Sequence, residues 1–81
     1  MDVCALVGQN LRRHRLSEGL SQEALADAAG LDRTYVSGLE RGIRNPTVKV
    51  LDHLASVLSI RIADLVAQDV SQPPKTSTSR R

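Results

Sequence analysis

Glycines and capping residues cut this chain into short pieces, and that punctuation constrains its fold more than any other feature. Gly19, Gly30 and Gly42 each stand just beyond a stretch of helical periodicity. Glycine adopts the left-handed geometry that closes a helix at little steric cost. Ser21 and Asp32 come two residues after the first two glycines, and Thr47 follows the turn "IRNP". Each of these three side chains can accept from an amide two or three residues on, so each reads as an N-cap. Several short helices that interdigitate are the expected result.

Between the breaks, apolar residues recur at three- and four-residue spacing. A first helix runs from Cys4 to Arg15 with Val7, Leu11 and, less cleanly, Cys4 on its apolar side. A second, Gln22 to Ala28, turns Leu25, Ala26 and Ala29 inward, and a third, Arg33 to about Arg41, buries Val36 and Leu39. The fourth opens at Thr47, or at Asn45 with Pro46 in the first helical position, and repeats Leu51, Leu54, Ala55 and Leu58 along one face. After Ser59 a short fifth helix carries Ile62, Leu65 and Val66. From Gln68 on, "QDVSQPPKTSTSRR" has two prolines, many hydroxyls and little to bury, and reads as a flexible tail. The expected fold is therefore all-α: a five-helix domain over residues 1–67 and a basic tail over 68–81, without internal repeats.

At 81 residues the chain makes one small domain with little room for an enclosed active site. Its apolar residues are Leu, Val, Ala and Ile, with one tyrosine and no Phe or Trp, which suits packed helices more than a sheet. No run approaches the roughly 18 apolar residues of a membrane span, and the start lacks a basic-then-apolar leader, so a cytoplasmic protein is expected. Cys4 has no partner for an internal disulfide, and His14 and His53, read as surface or boundary residues, complete no metal-ligand spacing. Neither a metal nor another cofactor is expected. With no nucleophile beside a base, no paired carboxylates and no glycine-rich phosphate loop, an enzyme is not expected either. The net charge of +2 comes from Lys75, Arg80 and Arg81 against Asp69, which leaves the body neutral. A polyanion-binding surface must then arise from segregation of charge rather than excess.

The second and third helices, joined around Gly30, form a helix-turn-helix whose angle Ala26, Leu31, Val36 and Leu39 would lock. The stretch "LSQEALADAAGLDRTYVSGLERGIRNPTVKVLDHLASVLSI" resembles the Cro/C1-type, or XRE-type, helix-turn-helix repressors over about Val7 to Leu65. "LSQEALA", "SGLERG" and "NPT" are its most specific pieces. Within that family it looks closest to short stand-alone regulators, including the controller proteins of restriction–modification systems.

The resemblance implies a domain that forms a homodimer and lays its third helix in the major groove of double-stranded DNA. It assigns base reading to Arg33, Thr34, Ser37 and Gly38, and phosphate contacts to Gln22, Arg44, Asn45 and Thr47. It also pairs Glu40 with Arg15 as a structural tie between the third helix and the first. Arginine can donate two hydrogen bonds to guanine, and Ser or Thr can serve several bases, so the residue types suit the assignment. Against Arg33 as reader stands a solvated first-turn arginine, unfavourable to the helix dipole. Gly38 either lets the helix approach the groove floor or accommodates a contact within the protein. Tyr35 falls on the border of the buried face, where its ring can cover the helix pair and its hydroxyl reach a phosphate, or simply finish the core. Arg41 adds charge on the same side unless a carboxylate of its own molecule takes it.

Where relatives often cap the fifth helix with serine, this chain has Arg61, which leaves that start open. Ile62, Val66 and Val70, extended by Val50 and Val57, form a stripe too generous for so small a core, and suggest a dimer seam. Folding back of Ile62 and Val66 on the fourth helix is the alternative. The expected function is a regulator acting as a homodimer on a palindromic or near-palindromic operator. Its rival is an antitoxin-like module that grips a partner protein and binds DNA secondarily.

Overall fold

Five α-helices and no strand occupy residues 2–68, the part of the chain described by the computed structural model. They are α1 (Val3–Ser17), α2 (Gln22–Ala29), α3 (Arg33–Glu40), α4 (Val48–Leu58) and α5 (Ile62–Val66). The expected caps are in place. Ser21 Oγ accepts from Ala24 N at 3.0 Å, Asp32 from Thr34 N at 2.8 Å, and Thr47 Oγ1 from Val50 N at 3.1 Å. Thr47, not Asn45, therefore opens α4. Asp2 adds a cap absent from the sequence reading, accepting from Ala5 N at 3.3 Å.

The turn between α2 and α3 closes on Gly30, whose φ of 70° lies in the left-handed region. Ser59 takes the same geometry after α4 with φ 57°. The chain then re-enters a helix because Asp64 reaches back to accept Arg61 N at 2.9 Å. That carboxylate settles the start of α5, where no serine is present.

Leu11, Leu25, Val36, Leu39, Leu54, Leu58 and Leu65 are under 2% exposed and bring all five helices into one core. α1 packs on α3 and α5, while α2 lies between α3 and α4. Of the stripe expected at a dimer seam, Val50, Val57 and Ile62 are half-buried against this core and Val66 is exposed. Val70 lies outside the described residues. No helix among the described residues is long and apolar enough to cross a membrane.

Two residues of α1 position the other helices. At Gly8, an added Cβ would meet the carbonyl oxygen of Leu39 and stand 2.7 Å from that of Glu40, so α1 and the end of α3 touch backbone to backbone. Asn10 is 5% exposed, and its Nδ2 donates to the carbonyls of Leu65 and Ala67, both at 2.9 Å. Its Oδ1 accepts from Arg13 at 2.9 Å. One side chain thus satisfies the open end of α5 and fastens it to α1.

Asn10→Ala is expected to leave those carbonyls without donors and destabilise the domain by about 2 kcal/mol. A thermal melt should show Tm falling by roughly 10 °C; an unchanged Tm would mean that α5 is held by its apolar side alone.

Candidate nucleic-acid interface

α3 begins at a charged cap. Asp32 is held below the usual carboxylate range, chiefly because the backbone amide of Thr34 donates to it, and Arg33 next door adds a smaller push. Its folded-state pKa is the lower one, so the cap strengthens α3 at neutral pH and loosens on acidification.

Successive helical residues point about 100° apart, which sorts the eight residues of α3 into faces. Val36 and Leu39 are buried at 0% and 1%, and the Glu40 side chain joins them at 3%. On the opposite side Thr34 and the C-cap residue Arg41 are exposed, with Ser37 half-buried beside them, and Arg33 is exposed at the open first turn, on the stripe that leads to Val36 and Glu40. Tyr35 sits at the edge, half-buried and packed against the core.

Glu40 anchors the inner side. Arg15 Nε donates to Glu40 Oε2 at 2.6 Å, and the guanidinium makes a second bond to Oε1 at 3.0 Å. Arg15, itself 7% exposed, also donates to the carbonyl of Leu20 at 2.8 Å. The hydrogen bond that Arg15 donates to Glu40 raises the Arg15 pKa above its ordinary value, so the group stays cationic. A bidentate, charge-assisted fork of this kind fixes orientation as well as distance. α1, the turn before α2 and the end of α3 are thereby tied at one point.

Two of the residues assigned to nucleic acid make contacts within the protein itself. Gln22 is turned inward, its Nε2 donating to Glu40 Oε1 at 3.1 Å, which commits one amide proton to the brace. Gly38, assigned to base reading with a contact inside the protein as the alternative, is buried although it lies between Thr34 and Arg41 on the outward side. Arg44 covers it: an added Cβ would stand 2.8 Å from Arg44 Cγ. The guanidinium of Arg44 in turn lies over the Tyr35 ring, 5.9 Å from its centroid.

Asn45 and Thr47 are exposed beyond Arg44. The Thr47 oxygen accepts its capping bond and leaves the hydroxyl proton free to donate. Arg33 at the start of α3 and Arg41 and Arg44 at its end and in the following turn are thus exposed cations, while the body as a whole is neutral. His14 is half-buried, His53 exposed and Cys4 a half-buried free thiol. Among the described residues no three His, Cys, Asp or Glu side chains converge on a point.

The missed positions were Gly8 and Asn10. Both read as unremarkable members of the α1 pattern, and only the sequence-distant carbonyls they meet give them a role. The spacing of Gly8 one turn before Leu11 and after Cys4 offered a weak signal for a close helix crossing.

What such a rod can do follows from its groups. Arginine, threonine and serine project from a short capped helix that is fixed from behind, and cations flank it. Donors in that arrangement suit base edges and phosphate oxygens.

The sequence family described as helix-turn-helix matches residues 11–65. An uncharacterised HTH-type transcriptional regulator of Sinorhizobium fredii, y4dJ, is 42% identical over 73 residues, covering 90% of this chain and 95% of that protein. The crystal structure of the restriction–modification controller protein C.AhdI from Aeromonas hydrophila is similar with a TM-score of 0.74 at 47% identity, covering 76% of this chain and 94% of that one. SinR, a master regulator for biofilm formation solved in complex with DNA, is similar with a TM-score of 0.73 at 31% identity, over 75% and 98% of the two chains.

Proposed function

The chain belongs to the helix-turn-helix family of transcriptional regulators, of the Cro/C1 or XRE type, and we propose that it is a sequence-specific reader of double-stranded DNA. The outward face of α3, capped by Asp32 and braced by Arg15 and Glu40, is the observation that carries this reading. In it α3 enters the major groove. Arg33 donates to O6 and N7 of a guanine, and Thr34 and Ser37 serve neighbouring base edges.

Arg44, Asn45, Thr47 and Arg41 hold phosphates on either side of the groove, and the Tyr35 hydroxyl adds a donor at the border. Gln22 contributes with its remaining amide proton. Gly38 reads no base by a side chain of its own. Such phosphate contacts set register, whereas the base contacts set sequence.

Two copies acting together fit the operator geometry of this class. Exposed Val66, with the uncovered parts of Ile62, Val50 and Val57, is the apolar surface that a two-fold seam would use. Val70 extends it in the sequence beyond the described residues. Paired third helices about 34 Å apart would meet successive major grooves of a palindromic or near-palindromic site. The protein then regulates by occupying DNA, in the cytoplasm, and not by catalysis.

For Arg33→Ala the expected loss is about 1 to 3 kcal/mol of affinity for a duplex selected from a random pool, with melting unchanged. Titration of selected and scrambled duplexes measures it. Equal affinity of the wild type for both would overturn sequence reading.

A further inference from the structure

Gly38 is an anomaly that DNA reading alone does not explain. It is the sixth residue of an eight-residue helix, where glycine is a poorer helix former than alanine, and on the side that faces outward. Yet it is buried, because the side chain of Arg44 lies across it.

We infer that Gly38 is a positioning residue: its missing side chain makes the trough in which Arg44 is held against Tyr35, ready for DNA before DNA arrives. The contacts of an ideal Cβ define the trough, at 2.8 Å from Arg44 Cγ, 3.4 Å from Nε and 3.6 Å from Cδ. The nearest of these is tighter than any real Cβ contact, so a methyl group would lift the aliphatic stem off the helix. The guanidinium would leave the Tyr35 ring with it, since the carbon between its nitrogens is 5.9 Å from the centroid only while the stem stays down.

Backbone geometry delivers Arg44 to this place. Ile43 N donates to the carbonyl of Gly38 at 3.0 Å, and the left-handed Gly42, φ 78°, turns the chain back over α3. A long flexible cation is thereby stored in one conformation, and less rotamer freedom remains to be lost on binding. The inference rests on the proposed DNA reading for its consequence, but the stored conformation belongs to the free protein.

The experiment has two arms. In the free protein, NMR of Arg44 side-chain resonances should show ring-current shifts from Tyr35 that vanish in Gly38→Ala, while that variant melts no lower than wild type. With the selected duplex, Gly38→Ala should weaken binding about tenfold when Arg44 is present and leave it unchanged in an Arg44→Ala background.

Ring-current shifts that persist in Gly38→Ala overturn the inference. So does an equal loss of affinity in both backgrounds, which would make Gly38 a clearance for the groove floor instead. A wild type that fails to discriminate duplexes while the NMR result holds would sink the DNA reading and leave the trough intact.

Discussion

Glu40→Ala is expected to destabilise the domain by about 3 to 5 kcal/mol, enough to unfold much of it at physiological temperature. The reason lies in what remains. Arg15 keeps its charge at 7% exposure, and the carboxylate that held two of its nitrogens is gone. Its bond to the Leu20 carbonyl and the Gln22 amide that met the same carboxylate cannot compensate, because neither supplies negative charge.

Chemical denaturation with circular dichroism would measure the loss. Replacing both partners, as Arg15→Met with Glu40→Leu, should recover more than half of it, since buried ion pairs are costly chiefly when broken on one side. A single variant as stable as wild type would show that the brace orients nothing.

Gly8→Val should cost about 4 kcal/mol, above the usual range for overpacking. The obstacle is not a side chain that can swing away. It is the carbonyl of Leu39 and that of Glu40, the latter 2.7 Å from where the first added carbon would sit. α1 would have to move off the end of α3, and Gly42, with an added carbon 3.0 Å from Ala5 Cα, reports the same tightness one turn away. Gly8→Ala should lose less, because the methyl is smaller and alanine favours helix. Equal stability of Gly8→Val and wild type, by the same denaturation, would contradict the crossing.

Local signals made much of this fold readable in advance. Ser21, Asp32 and Thr47 cap helices through bonds that span two or three residues, so neighbours alone specify them. The apolar spacing of α4 likewise fixed which side Leu51, Leu54, Ala55 and Leu58 would bury.

What escaped was set by partners far along the chain. Asn10 meets carbonyls 55 and 57 residues away, and no pattern within α1 distinguishes it from a solvated polar residue. Gly38 and Arg44 stand only six residues apart, yet no helical periodicity pairs them, because the fold of the turn after α3 lays one on the other. Gln22 is instructive in another way. The family resemblance directed it outward to a phosphate, but the Glu40 carboxylate, already committed to Arg15, has a lone pair within its reach.

The central claim is that Arg33 at the exposed start of α3 reads a guanine, and base substitution in the DNA tests it most directly. In the selected duplex, each guanine in turn is replaced by 7-deazaguanine, which lacks the N7 acceptor but pairs normally, and affinities of wild type and Arg33→Ala are compared. At one guanine of each half-site the replacement should weaken wild-type binding and cost the Arg33→Ala variant nothing further. Losses that add in both proteins at every guanine would contradict the account.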